Sequence, residues 1–199
     1  MMEGLGRKFA ELRIGSEPLL APGSGPSATV LDFWRWSTSD LLSNATRGVF
    51  AEFIVALATG CDIRKPREEW SAHDLTTPEG IRIEVKSAAY LQAWNQPKGL
   101  STISFGIKET RKWDSETNQQ ALEKSRVADV YVFCLLHHTD KTTIDPLDLR
   151  QWTFFVMSIR ELDAYTRSRH SITLKSLETV SMKTDFARLG DAVRLAHSR

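Results

Sequence analysis

Seven consecutive residues, Val130-Tyr131-Val132-Phe133-Cys134-Leu135-Leu136, carry no charge and are aliphatic, aromatic or thiol throughout. A strand with one wet face alternates apolar and polar, so an unbroken run of this length predicts a central strand covered on both faces. Such a strand needs a packed layer above it and another below, which restricts the chain to a layered α/β structure. At 199 residues the chain is long enough to bury such a core within one domain.

The rest of the pattern supplies the layers. Thr46 to Thr59 reads as a helix closed by Gly60 at the C′ position. Thr29 to Leu42, with Val30, Leu31, Phe33, Trp34, Trp36, Leu41 and Leu42, predicts a second packed helix. Residues 1–28 hold Gly15, Pro18, Pro22, Gly23, Gly25 and Pro26, so only a short helix over Glu3 to Arg13 is expected there. The expected organisation is an irregular N-terminal segment at 1–28 and a single domain at 29–199. Strands are expected at Trp70 to Leu75, Ile81 to Lys86, Ser101 to Ile107 and Trp152 to Met157. Partial helix is expected over Ser115 to Arg126, and full helix over Ile159 to Tyr165 and Phe186 to His197. The sum is a mixed central β-sheet flanked by helices, in the order αβββαβ, with an extra C-terminal strand and helices.

Ile81 to Lys86 alternates strictly, Ile81, Ile83 and Val85 facing one way, Arg82, Glu84 and Lys86 the other. The turn residues Thr77-Pro78-Glu79-Gly80 fold the preceding strand back on it, bringing Asp74 within a residue or two of Glu84. Two carboxylates and an ammonium then meet at one end of the sheet. Hard oxygen ligands select Mg²⁺ or Mn²⁺. Such an ion holds a phosphate oxygen and acidifies a bound water, while a neighbouring lysine stabilises developing negative charge. That chemistry suits phosphodiester hydrolysis. Glu-x-Lys on a strand is equally the pattern of a surface ion pair, so a second signal is needed. Glu52 provides it, as the one polar side chain between Val49 and Ala58. A carboxylate in a buried helix requires a partner, which could be a metal, Lys86 or an arginine such as Arg47.

These pieces together resemble the PD-(D/E)XK nuclease superfamily: Arg47-Gly48-Val49-Phe50-Ala51-Glu52 opening a helix, then Asp74, then, after nine intervening residues, Glu84-Val85-Lys86. His73 stands where the motif has proline. The resemblance implies a restriction-endonuclease-like core that cuts DNA with Mg²⁺ or Mn²⁺. It implies Asp74, Glu84 and the Val85 carbonyl as metal ligands, Lys86 acting on the attacking water, and Glu52 serving the metal directly or through water. Gln92 is similar to an accessory glutamine of some members. RNA stays open as a substrate, and a double-strand cut implies a homodimer by two-fold symmetry.

The net charge of +1 points to no global polyanion field, so any nucleic-acid contact must be a local patch. Lys98, Lys108, Arg111 and Lys112 are candidates for phosphate contact, and Trp94 and Trp113 for base stacking. A solvated face explains the same lysines. His137-His138 lacks partners at zinc-ligand spacing and reads as a loop at a strand end. Cys61 and Cys134 read as buried thiols of a reducing compartment. The longest apolar run is too short and too interrupted to cross a bilayer, and no secretory h-region opens the chain, so a cytoplasmic location without membrane attachment is expected. The alternative function is a non-catalytic nucleic-acid-binding or assembly protein that keeps the nuclease fold.

Overall fold

The computed structural model describes residues 8–23, 25, 27–69, 71–114 and 119–199. Two helices come first, α1 (Val30–Thr38) and α2 (Asn44–Thr59). Strands β1 (Leu75–Thr76), β2 (Arg82–Ala89), β3 (Ser104–Gly106), β4 (Thr110–Asp114), β5 (Gln119–Ser125), β6 (Val130–Leu136) and β7 (Trp152–Ser158) follow. The chain then runs through α3 (Ile159–Ala164), β8 (Ser171–Thr173), α4 (Leu174–Val180), β9 (Met182–Thr184) and α5 (Leu189–His197). The fold is mixed α/β.

The central sheet has the order β1-β2-β6-β7-β9. Its only parallel pair is β2 with β6, in register from Ile83↔Val130 to Ala89↔Leu136; the other neighbours are antiparallel. As the apolar run predicted, all seven residues of β6 are buried. Alternation sends Val130, Val132, Cys134 and Leu136 to one face, where they meet Ile83, Val85, Phe154, α2 and α5. Tyr131, Phe133 and Leu135 point to the other, where Phe105, Ile107, Leu162, Ile172 and Leu177 cover them. Arg82 at the start of β2 clamps Asp129 before β6 through two guanidinium bonds of 3.0 and 2.6 Å and a backbone bond of 2.9 Å.

Three expectations are corrected. Ser101 to Ile107 does not extend a three-strand meander: β3 leaves the central sheet and pairs with β8, because Phe105 and Ile107 are needed to roof the second face. Over Ser115 to Arg126 the described part is strand, not helix; β4 and β5 form an antiparallel hairpin, and residues 115–118 lie outside the described set. The αβββαβ order therefore does not describe this chain. Finally, residues 8–13 of the expected first helix are irregular, the earlier part lying outside the described residues.

The strand expected at Trp70 to Leu75 shrinks to β1, Trp70 itself lying outside the described residues. The helix over 29–42 forms as α1, capped by a reciprocal Thr29–Asp32 pair, yet it buries none of its residues: Trp36 is 85% and Phe33 54% exposed. The described N-terminal segment folds back against it through Leu31 N–H to the Gly15 carbonyl (2.9 Å).

α2 and α5 lie against one another over the first face. Their crossing depends on Gly190, where an added Cβ would stand 2.4 Å from the Ala58 carbonyl oxygen. Gly190→Ala is therefore expected to destabilise the protein by about 1–3 kcal/mol, the usual cost of overpacking a well-filled core. Urea unfolding measures it; an unchanged midpoint would show that the two helices separate freely.

Candidate active site

The site begins with the β1–β2 hairpin. Thr77 N–H donates to the Ile81 carbonyl (3.0 Å) and Gly80 N–H to the Thr77 carbonyl (2.9 Å), with Gly80 at φ 89°, a conformation suited to glycine. The resulting register is Leu75↔Ile83 and Thr76↔Arg82, with Asp74 just before the first pair. Asp74 prolongs the ladder with both of its groups. Its N–H donates to the Ile83 carbonyl (3.1 Å), and its Oδ2 accepts the Val85 N–H (2.7 Å). Because the N–H and carbonyl of one strand residue leave on the same edge, the Val85 carbonyl also faces the Asp74 side.

Lys86 Nζ sits 2.5 Å from Glu84 Oε1, both side chains half-buried. Burial first, then the facing Glu84, push the Asp74 carboxyl above the ordinary aspartate range. The Val85 N–H, Lys86 and Arg67 pull the other way. Tyr131, the in-register neighbour of Glu84 on β6, has its phenol held well above the usual tyrosine range by burial and then by Glu84. Asp74, Glu84 and Lys86 thus form one charged group at the edge of the sheet.

Glu52 takes an arginine as its partner, as one of the alternatives had it, but the arginine is Arg67 and not Arg47. Val49, Phe53 and Leu57 of α2 are 43–48% exposed, so the apolar run is not buried all round. Glu52 nonetheless keeps only 12% of its side chain exposed, because Arg67 covers it with two guanidinium bonds, one of them 2.9 Å long to Oε1. Arg47, the arginine singled out by sequence, is buried elsewhere, bonded to the Leu42 carbonyl (2.8 Å), Asn44, Ser87 and Gln92. Glu52, Arg67, His73 and Asp74 line a common cleft of about 440 Å³ between α2 and the sheet edge, so Glu52 reaches the site through Arg67. Arg67 went unnoticed in the sequence, since a loop arginine beside two glutamates carries no periodic signal.

Gln92 is 6% exposed and ties the loop after β2 together, accepting from Arg47 Nη1 (3.3 Å) and donating to the Ala89 carbonyl (2.9 Å) and Ser101. Lys98, Lys108 and Arg111 are exposed, and Trp94 is 53% exposed with its carbonyl accepting from Lys141 (2.7 Å). The expectations for Lys112 and Trp113 fall on side chains outside the described residues. His137 and His138 close a loop, each bonded to a threonine. Both cysteines are free thiols, Cys134 buried and Cys61 partly so.

Among the described residues no three His, Cys, Asp or Glu side chains gather at metal-ligating range. The donor set is therefore a pair. Asp74 and Glu84 fit a hard divalent cation chemically: two carboxylates raise one another's energy, and a cation between them would relieve it. No helix among the described residues is long and apolar enough to cross a membrane.

Asp74 just before β1 and Glu84 and Lys86 on β2 thus bring two carboxylates and a lysine together beside a mixed α/β sheet. The family model of bacteriophage T4 endonuclease IV matches residues 30–174, which span α1 to the start of α4 and include the whole group. The chain belongs to that family. No curated protein matches it.

The electrostatics of the pair generate a stability test. Asp74→Asn keeps an oxygen for the Val85 N–H while removing one of two opposed charges. In chelator at neutral pH the variant is expected to melt a few degrees above the parent. An equal or lower melting temperature would mean that Asp74 is not held against its charge.

Proposed function

We propose that this protein is a metal-dependent DNA endonuclease with a PD-(D/E)XK-type site on a restriction-endonuclease-like sheet, working as the domain 29–199 with 1–28 as an appended segment. The observation that carries the reading is the Asp74 carboxylate, bonded to the Val85 N–H, beside the Glu84–Lys86 pair in a chain of an endonuclease family.

In this reading Asp74, Glu84 and the Val85 carbonyl hold Mg²⁺ or Mn²⁺. When bound, that ion supplies charge neutralisation at the scissile phosphate and a water of lowered pKa. The chain's own residues do the remainder. Lys86 divides its ammonium between Glu84 and the attacking water, orienting the water and facing the charge that grows on the phosphate. The Val85 N–H keeps the Asp74 carboxylate in one rotamer, so its oxygens need no reorganisation when substrate arrives. Glu52 acts by holding Arg67 beside Asp74, where the guanidinium can grip a phosphate oxygen of the strand being cut. Gln92 supports the loop that follows the catalytic strand. One such site cuts one strand, so a double-strand break requires two copies in a homodimer.

The test is cleavage of duplex, single-stranded and branched DNA with Mg²⁺ or Mn²⁺. Lys86→Met and Asp74→Asn are expected to lower the rate by about 10²–10³-fold, the usual loss for one preorganised charge-stabilising group, and Glu52→Gln by less, since it acts through Arg67. Chelator should abolish cutting. Parental rates in both Lys86→Met and Asp74→Asn would remove the site; a parent that binds DNA yet cuts none of the substrates would favour the binding or assembly role instead.

A further inference from the structure

The β4–β5 hairpin contributes no described residue to either core cluster. It stands off the body as a two-stranded ribbon, with Leu122 92% exposed near its middle. A two-stranded ribbon gains little from folding alone, so its retention asks for a use.

Its charges are arranged against its own stability. Arg111 and Lys124 are direct cross-strand partners, both exposed, and neither pairs with a carboxylate among the described residues. Like charges in that position repel and destabilise a ladder, whereas an exposed partner strand could as easily have carried a glutamate. Lys108 adds a third exposed cation at the ribbon's foot.

The foot itself is rigid. Arg126, its side chain 7% exposed, donates to the Ile107 carbonyl from Nε and Nη2 (3.2 and 2.9 Å) and pairs with Asp163 at 2.6 Å. Ile107 packs on the sheet face that also bears Tyr131, and the Tyr131 hydroxyl lies within the fields of both Glu84 and Arg126. The ribbon therefore springs from the same face as Glu84 and Lys86, one strand across from them.

We propose that the β4–β5 hairpin is a DNA-gripping arm, its Arg111–Lys124 pair binding backbone phosphates of duplex DNA beside the Asp74–Glu84–Lys86 site. The proposal rests on the reading of the chain as a DNA endonuclease. Seven residues of β5 span roughly 23 Å at the usual rise per strand residue, and a two-stranded ribbon fits a major groove about 12 Å wide. Phosphates would also relieve the repulsion that the free hairpin carries. The ribbon supplies grip, leaving the chemistry to the strands at its side.

The experiment is binding of a fluorescent duplex, and of its single strand, by the full chain in chelator across a salt series, with cleavage of the same duplex measured separately in Mg²⁺. Arg111→Gln/Lys124→Gln is expected to bind the duplex about tenfold more weakly and to lose about 1.8 from the log–log salt slope, two phosphate contacts at roughly 0.9 each. Arg111→Lys should keep both values. The double variant should melt at or above the parental temperature, and its cutting at low duplex concentration should fall in step with the lost affinity. Parental affinity and slope in the double variant, with the parent cutting normally, would overturn the arm and leave the endonuclease reading standing. An equal loss on the single strand would overturn the placement in a duplex groove. A parent that shows the hairpin effect on binding but cuts nothing would sustain the arm and sink the endonuclease; a parent that binds neither probe would sink both.

Discussion

The parallel pairing of β2 with β6 is the contact on which the rest of the molecule depends. β6 is apolar on both sides, so it cannot exist without a layer on each face, and β2 is the strand that carries Glu84 and Lys86. Their shared register gives the sheet two different surfaces. On one, Ile83 and Val85 join Val130, Val132 and Cys134 under α2 and α5. On the other, Glu84 and Lys86 emerge level with Tyr131 and Phe133. The Arg82–Asp129 clamp pins one end of this pairing. A slip of a single residue would turn Glu84 and Lys86 into the apolar layer, and burying two charges is far costlier than losing the site.

Beside that frame the acidic group is locally unfavourable by construction. Asp74 and Glu84 lie within one another's field beside a short hairpin, with Asp74 largely buried and its carboxyl shifted upward. What holds the arrangement is backbone: the Val85 N–H on Asp74, and a turn that leaves β1 no other register. Neutralising partners sit on both flanks, Lys86 against Glu84 and Arg67 between Glu52 and the cleft. Such a balance favours the arrival of further positive charge at the carboxylates and of phosphate at the two cations. The same pattern of unrelieved charge recurs in the hairpin of Arg111 and Lys124, with opposite sign.

Periodicity made part of this visible in the sequence. The buried run at 130–136, the alternation through Glu84 and Lys86, the glycine closing α2 and the turn before β2 each have one local cause, and each was legible. Strand partnership was not. Whether Phe105 and Ile107 extend the central sheet or roof it depends on β8, some 65 residues on, for which no short-range pattern exists. The sequence from 110 to 125 is mostly polar and lacks a clear period, the signal by which strands are told from helices. Glu52 was rightly seen to need a partner, but its partner lies in an irregular loop, where spacing says nothing about direction. α1 shows the converse error: apolar residues at helical intervals formed the helix and then stayed in solvent.

The parallel pair also has a temporal side. The β1–β2 hairpin leaves the ribosome more than forty residues before β6, and a lone two-stranded hairpin is only marginally stable in water. Until β6 has emerged, Asp74 and Glu84 lack the rigid strand that keeps them apart from solvent and in line. Assembly of the carboxylate pair is thus tied to near-completion of the sheet rather than to synthesis of its own residues. A product truncated before β6 therefore carries Asp74, Glu84 and Lys86 without the strand that orders them.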